Sequence, residues 1–462
     1  MTVLTFDFGT SATKVGLWSG PTLVALTRAP IETRHPAPGS AEQDPESWWE
    51  AAVDAAAQAR VAAPDAYERV RVVAASTARE TFACVDEELR PLGPGILWSD
   101  TRGRDEVAVL GDPTAFRART GVQATAGSCA AKIAWVRAHE PDRFRASSWL
   151  LGPRDLVFAR LTGRVETDPT VASRTGLYAL DGTYLGDEAL AERLPALASS
   201  VDARPIARHE MLELPGEAVA VLGAGDRACE VLGVGAGPDA PMLSFGTTAN
   251  VSVPHDGPAL PSVAQVSRAV GGGYLVEAGL SVAGAALDWL ASLTGRSRGE
   301  LLARAADVPP GADGLLALPW LQGARAPWWH ADARAVFSGV TSSHGPAELA
   351  RALLEGVALD AARSVELVAP ASHAVVLAGA GARDPTWATI VAALTGRDVV
   401  RRRLDDAASA GARLLAEDDD HVTLESVNPV TRVDAPDPTL VDAYQRVRAA
   451  SDALAARLLG PT

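Results

Sequence analysis

The pentapeptide FGTSA at residues 8–12 returns as FGTTA at residues 245–249, roughly half a chain later. Each copy ends a short apolar run, VLTFD at 3–7 and PMLS at 241–244. Each is followed by apolar or β-branched positions, 13–17 and 250–253. That grammar predicts strand, tight Gly-Thr turn, strand: a β-hairpin with glycine and small hydroxyl residues at its bend. Such a bend turns backbone N–H groups and hydroxyls toward one spot, which suits phosphate oxygens. Asp7 stands just before the first turn, where the second copy has Ser244. A carboxylate beside a phosphate cradle points to Mg²⁺, which favours one or two carboxylates completed by waters and phosphates.

A chain of 462 residues exceeds one ordinary domain, and two domains of about 200 residues each are the natural division. Hydrophobic residues make up 47% and charged residues 21%, enough for substantial cores. The net charge of −15 argues against nucleic acid or an anionic membrane as partner. The chain enters a strand at once and has no apolar run near the length of a membrane span, so a cytoplasmic protein without a signal peptide is expected. Cys84, Cys129 and Cys229 are odd in number and lack CxxC spacing, as expected of reduced thiols. The eight histidines show no metal-ligand spacing. Lysine occurs only at 14 and 132 while arginine abounds; this reads as coding bias and is given little functional weight.

In chain order, a turn-rich stretch leads into AEQDPESWW. There Asp44 is a candidate N-cap, Pro45 opens a helix, and Trp48 and Trp49 lead its apolar face. Residues 70–76 form a buried-strand run that ends in the polar set Thr77, Arg79, Glu80 and Thr81. Residues 82–86 and 94–98 predict further strands, the latter ending at Ser99, Asp100, Thr101 and Arg102. Polar clusters just after strand ends are where α/β proteins build sites. Residues 132–139 and 153–161 carry helical periodicity, whereas 162–180 are rich in Gly and Thr and read as loop. Residues 219–226 form a strand with a single acid, Asp226, at its tip, and a small-residue helix follows. Gly233, Gly235, Gly237 and Pro238 then mark a domain boundary and hinge.

The second half predicts helices at 281–293, 346–368, 407–416 and 438–459, and strands at 314–320, 374–378 and 399–404. A Gly-rich turn and helix, GAGARDPTWATIVAALTG, follows the strand at 374–378.

From residue 3 to residue 416 the chain resembles the FGGY carbohydrate kinases, of the actin-like, Hsp70-like ATPase superfamily. Ten stretches carry the likeness in order: FDFGTSATK, AEQDPESWW, ILWSDTRGRDE, KIAW, LTGRVETDPTVASRTGLYAL, GAGDRACEVLGVG, LSFGTTANV, GLLALPWLQGARAPWW, LLEGVAL and LAGAGARDPTWATIVA. The resemblance implies an α/β fold of two ribonuclease-H-like domains, residues 1–236 and 237–462, facing across a cleft. The first would carry the sugar side and the first phosphate loop, the second the other loop and the adenosine site.

The resemblance also implies roles. Gly9, Thr10, Ser11 and Lys14 would line the first phosphate loop, and Gly246, Thr247 and Thr248 the second. Gly379, Gly381, Ala382 and Asp384 would form the adenosine turn. Asp7 would hold Mg²⁺ through waters, with Asp226 beside it. Asp226 would also be the base that takes the proton from the attacking hydroxyl. Arg79, Glu80, Trp98, Asp100, Asp226 and Arg227 would meet the sugar. Phosphoryl transfer needs little more than in-line positioning, charge neutralisation and one proton acceptor.

Departures from the family pattern fall at Ala380, in place of the middle glycine of the adenosine turn, at Asp384 in place of Asn, and at Ala324 in place of the acid of Gly-Glu-Arg. Arg79-Glu80 resembles the pair of glycerol kinases, whereas xylulose kinases have Met-His there. Gly127 falls near the position of a bulky glycerol-pocket ring. The expected activity is ATP-dependent phosphorylation of a small open-chain sugar, a ketose such as xylulose. The alternatives are a kinase of glycerol or another polyol, an actin- or Hsp70-like ATPase without a sugar, and a sugar-binding regulator. ATP and Mg²⁺ are the expected cofactors. The expected partners are a small sugar or polyol and a second copy in a homodimer.

Overall fold

The structure is a computed structural model that describes residues 1–258, 261, 263–416 and 422–460. The first pentapeptide is the bend between β1 (Thr2–Phe8), buried along its whole length, and β2 (Ala12–Ser19). The meander continues into β3 (Thr22–Pro30). β4 (Val70–Thr77), β5 (Ala203–Pro205) and β6 (Val219–Gly225) complete a six-stranded sheet of order β5-β6-β4-β1-β2-β3. β4 runs parallel to both β1 and β6.

The second pentapeptide is the bend between β7 (Met242–Phe245) and β8 (Ala249–His255). With β9 (Gln265–Arg268), β10 (Tyr274–Leu280), β11 (Ala374–Ala378), β12 (Asp398–Arg402) and β13 (Val430–Asp434) these form a seven-stranded sheet, order β9-β10-β8-β7-β11-β12-β13. Inside it, β10-β8-β7-β11-β12 repeats the pattern of β3-β2-β1-β4-β6: an antiparallel meander, then two parallel strands. The repeated pentapeptide therefore marks a repeated topology. Both halves take the ribonuclease-H-like plan of the actin-like ATPases.

Helix α1 (Pro45–Ala62) starts where the sequence places it, with the Asp44 carboxylate accepting from the Glu46 amide. Later helices include α2 (Cys129–His139), α3 (Pro153–Thr162), α4 (Asp226–Val234), α5 (Gly284–Thr294), α6 (Pro346–Val368), α7 (Pro385–Thr395), α8 (Ala407–Leu415) and α9 (Pro438–Leu459). α6 is buried through most of its length in the core beneath the second sheet.

α8 comes late in the chain yet packs on β1 and β4 of the first sheet, where Ser409 Oγ lies 2.7 Å from Thr5 Oγ1. α8 also pairs tightly with α4. A Cβ on Gly233 would lie 1.9 Å from the Ala407 carbonyl, and one on Gly411 would lie 1.9 Å from the Cys229 carbonyl. Gly233 is thus a contact glycine inside a helix, and the chain turns at Gly235, which ends α4 at φ 66°.

Several predicted strands are shorter than their apolar runs. The one at 94–98 pairs only at Gly95–Ile96, because the Trp98 amide turns to donate to Thr81 Oγ1. The one at 314–320 pairs only at Leu316–Leu318. Helix 281–293 begins at Gly284, where the Gly246 and Thr247 carbonyls cap its first amides. The three cysteines are buried and unpaired. Among the described residues no helix is long and apolar enough to cross a membrane.

Candidate active site

The two hairpin bends, the end of β6 and the turn after β11 meet in the cleft between the sheets. A cavity of about 600 Å³ is lined by Asp7, Gly9, Thr10 and Lys14 from the first half and by Gly379, Ala380, Arg383 and Asp406 from the second. A smaller one, about 210 Å³, is lined by Arg79, Glu80, Trp98, Arg174, Arg227, Thr248, Gln265, Glu277 and Arg325. Thr10, Ala78 and Asp226 line both. Asp226 therefore stands where the two cavities join.

Asp226 is the first residue of α4, one step beyond the strand tip predicted for it. Its Oδ1 accepts from the Arg227 amide (2.7 Å) and from Arg79 Nε (3.1 Å). Its Oδ2 has no hydrogen bond among the described residues and is left to accept a proton. The strand end beneath it is braced by buried charge. Arg154 bonds Asp155, Asp168 and the Gly223 carbonyl, Asp168 accepts from Thr170 Oγ1, and that oxygen accepts from the Gly225 amide. The stretch read as loop supplies Asp168 and Thr170.

Asp7 is nearly buried, with Oδ1 accepting from Ser76 Oγ (3.1 Å) and Oδ2 from Lys14 Nζ (3.2 Å). Lys14 also meets Asp406 at 3.0 Å. Burial opposes its charge, but the two carboxylates prevail and raise its pKa. With both oxygens engaged, Asp7 fits an indirect, water-bridged role toward Mg²⁺, while Asp226 keeps an oxygen open. Among the described residues no cluster of three or more His, Cys, Asp or Glu side chains forms a closed metal cage. Asp7 and Asp226, both lining the larger cavity, are the one or two carboxylates that suit an ion arriving with phosphates and waters.

Thr10 is held from both sides. Gln43 Nε2 donates to its carbonyl (2.5 Å) and Trp98 Nε1 to its hydroxyl (2.8 Å), and Gln43 is itself held by Trp48 Nε1. Ser11 does not line the cavity; its hydroxyl accepts from Arg28. In the second loop Thr248 lines the smaller cavity, while Gly246 and Thr247 lend their carbonyls to α5.

Gly379 needs its glycine: at φ 76°, an added Cβ would lie 2.6 Å from the Phe245 carbonyl. Gly381, Ala382 and Asp384 do not line the larger cavity. Gly381 packs on the Phe245 side chain, and Asp384 caps α7 by accepting from the Thr386 amide (2.7 Å). Asp and Asn serve equally as N-caps, so this departure preserves the turn. Ala380 keeps a negative φ and needs no glycine.

On the acceptor side the expected picture changes. The Arg79 fork is not free for a sugar. Nη1 and Nη2 bind the Glu277 carboxylate of β10 at 2.7 and 2.8 Å, across the cleft, and Nε takes Asp226. Burial opposes the Glu277 charge, but Arg79 pulls its pKa down to about 2. Glu80 sits at φ 60° and binds Arg174 at 3.0 Å. Asp100 does not reach the cavity: it is fully buried, accepting from the Ala41 amide and from Arg102. Trp98 and Arg227 do line the cavity, the latter paired with Glu230.

Sequence reasoning missed Glu277, Arg174, Gln265, Gln43 and Lys132. Glu277 was visible as an acid inside an otherwise apolar strand (YLVEAGL). Of the two lysines, Lys14 lines the larger cavity. Lys132, fully buried, donates to the Glu80 and Leu97 carbonyls at 2.7 Å each and so fixes the backbone at Glu80.

The model of the FGGY family of carbohydrate kinases, N-terminal domain, matches residues 2–202, and its C-terminal domain matches residues 242–417. The chain belongs to this family. It is 33% identical over 466 residues to a xylulose kinase of Klebsiella pneumoniae, covering 95% of each chain. It is 31% identical to a xylulose kinase of Escherichia coli (strain K12), covering 89% of this chain and 88% of the relative. The solved xylulose kinase from Rhodospirillum rubrum superposes with a TM-score of 0.89 at 28% identity over 99% of each chain. The ligand-bound one from Lactobacillus acidophilus, at 22% identity and a TM-score of 0.91 over 99% of this chain and 98% of that one, shares the fold. This FGGY kinase is therefore an ATP-dependent sugar kinase, and the reading as an assembly ATPase without a sugar falls away.

Proposed function

We propose that the protein transfers the γ-phosphoryl group of ATP to a hydroxyl of an open-chain sugar of four to six carbons. The ketose xylulose, the substrate named for its relatives, is the first candidate. The observation that carries this reading is the position of Asp226 on the wall shared by the two cavities. A nucleotide in the larger cavity and a sugar in the smaller would meet there. The free Oδ2 of Asp226 takes the proton of the attacking hydroxyl, while Arg79 Nε and the Arg227 amide hold Oδ1 in place. The first-loop amides and Thr248 orient phosphate oxygens. Mg²⁺, held by Asp7 through water and by Asp226, would neutralise phosphate charge.

Chain length is argued from space. Gly127 lines a further cavity of about 560 Å³ beyond Trp98, which leaves room for more carbons than glycerol has. The test is ADP release with a panel of trioses to hexoses, ketoses, polyols and sugar acids. Turnover of a four- to six-carbon sugar well above glycerol is expected. Glycerol as the best acceptor would overturn the size argument, and ADP release independent of any acceptor would overturn the proposal.

A further inference from the structure

The Arg79 fork is spent on an acid to which the transfer itself gives no task. Glu277 stands in the middle of β10, 5% exposed, among apolar neighbours. Its oxygens accept from Arg79 Nη1 and Nη2 at 2.7 and 2.8 Å, and Oε1 also accepts from Ser267 Oγ of β9 at 3.1 Å. Arg79 carries the contact onward, because its Nε donates to Asp226 Oδ1 at 3.1 Å. The arginine stem lies over Gly225, where an added Cβ would fall 2.7 Å from Arg79 Cδ. Glycine at 225 thus lets Arg79 run alongside the residue that precedes Asp226.

Apolar side chains of like volume would hold two sheets together as well as a buried ion set does. What they lack is direction: a planar fork fixes the angle of its partners as well as their distance. The Arg227 amide, which also donates to Asp226 Oδ1, belongs to the same helix as Asp226 and moves with it. The Arg79 bond instead leads out of that helix and ends on the second sheet.

We propose that Glu277 is a positioning residue for the transfer: acting through Arg79, it holds Asp226 with Oδ2 turned to the acceptor hydroxyl. An outer acid that orients an inner group through one intermediate is how catalytic triads hold their base. Here the outer acid belongs to the opposite sheet. The base is therefore set in place only while the two halves close on the cleft, so an open enzyme holding ATP is a poor catalyst. This inference rests on reading Asp226 as the base.

The test is a double-mutant cycle on the whole enzyme, with ATP and its best acceptor, in single-turnover assays with radiolabelled ATP that follow slow variants. Glu277→Gln keeps volume but gives up one acceptor oxygen of the fork. Its rate of transfer should fall about 10- to 100-fold, with the KM for ATP within about two-fold of wild type. Glu277→Asp, which keeps the charge, should recover part of the rate. In the Asp226→Asn background Glu277→Gln should change the rate by less than about two-fold, because no base is left to position. If Glu277→Gln does not fold, Ser267→Ala, which removes one bond to Glu277, carries the same cycle with a loss of a few-fold. Equal losses in both backgrounds would make Glu277 a strut between the sheets and discard the positioning role, as would a wild-type rate. Wild-type turnover by Asp226→Asn itself would remove the base reading, and this inference with it.

Discussion

At the residue scale, the chemistry is expected to converge on two aspartates with different surroundings. Asp226 is partly open and holds one oxygen unbonded, whereas Asp7 is buried with both oxygens engaged. Asp226→Asn keeps shape and hydrogen-bonding length but removes the proton acceptor. Its kcat should fall by roughly 10²–10⁴ while nucleotide still binds, which calorimetry with ATP would register. Normal sugar-dependent turnover in that variant would take the base role away from Asp226. Asp7→Asn should instead raise the Mg²⁺ concentration needed for half-maximal rate, with little change in sugar KM. A Mg²⁺ titration that superposes on wild type would remove Asp7 from the metal side.

At the scale of elements, two devices hold the site, and each has a stability signature. The first is the α4–α8 pair. Because a Cβ at Gly411 would overlap the Cys229 carbonyl, Gly411→Ala must push the helices apart and should cost at least about 1–3 kcal/mol. Thermal unfolding would measure this, and a wild-type midpoint would show that the backbone yields more easily than the packing suggests. The second is the buried brace under β6. Arg154→Met would leave Asp155 and Asp168 without their cation, and breaking such a buried set typically costs about 3–5 kcal/mol. Methionine fills much the same volume, so a small loss would mean that the two acids protonate and pair instead.

At the scale of the whole molecule, Arg79 and Glu277 tie the first sheet to the second across the cleft. The Glu277 pKa falls from 4.5 to about 2 in the folded protein. A group with a lowered folded pKa stabilises fully above its unfolded value and loses that contribution as pH falls through the folded one. The stability that separates wild type from Glu277→Gln should therefore be complete above about pH 4.5 and shrink steadily toward pH 2. Urea titrations at several pH values would follow it, and a difference independent of pH would mean that Glu277 acts through shape alone. The two halves should also draw together when nucleotide and sugar are both bound, since transfer must exclude water. Small-angle scattering should then report a smaller radius of gyration with both ligands than with either one. An unchanged radius would argue for a cleft already closed.

Local grammar was enough to locate both hairpin bends, the Asp44-capped helix and α6, whose bounds agree with the sequence reading at both ends. These depend on turn chemistry, capping and apolar period, which act between residues close in the chain. The place of Asp226 at the cleft was legible for the same reason, since it sits where a short apolar strand stops. Partnership between distant segments was not legible. That Arg79 spends its fork on Glu277, almost two hundred positions later, follows from how two sheets face each other. Asp100 looked like a sugar ligand because it follows a strand, but burial against Ala41 and Arg102 turned it inward. The lone acid in β10 and the two lysines were present as letters. Which charges neutralise one another is decided by distance and desolvation, and both are set only when the two halves of the chain close on one cleft.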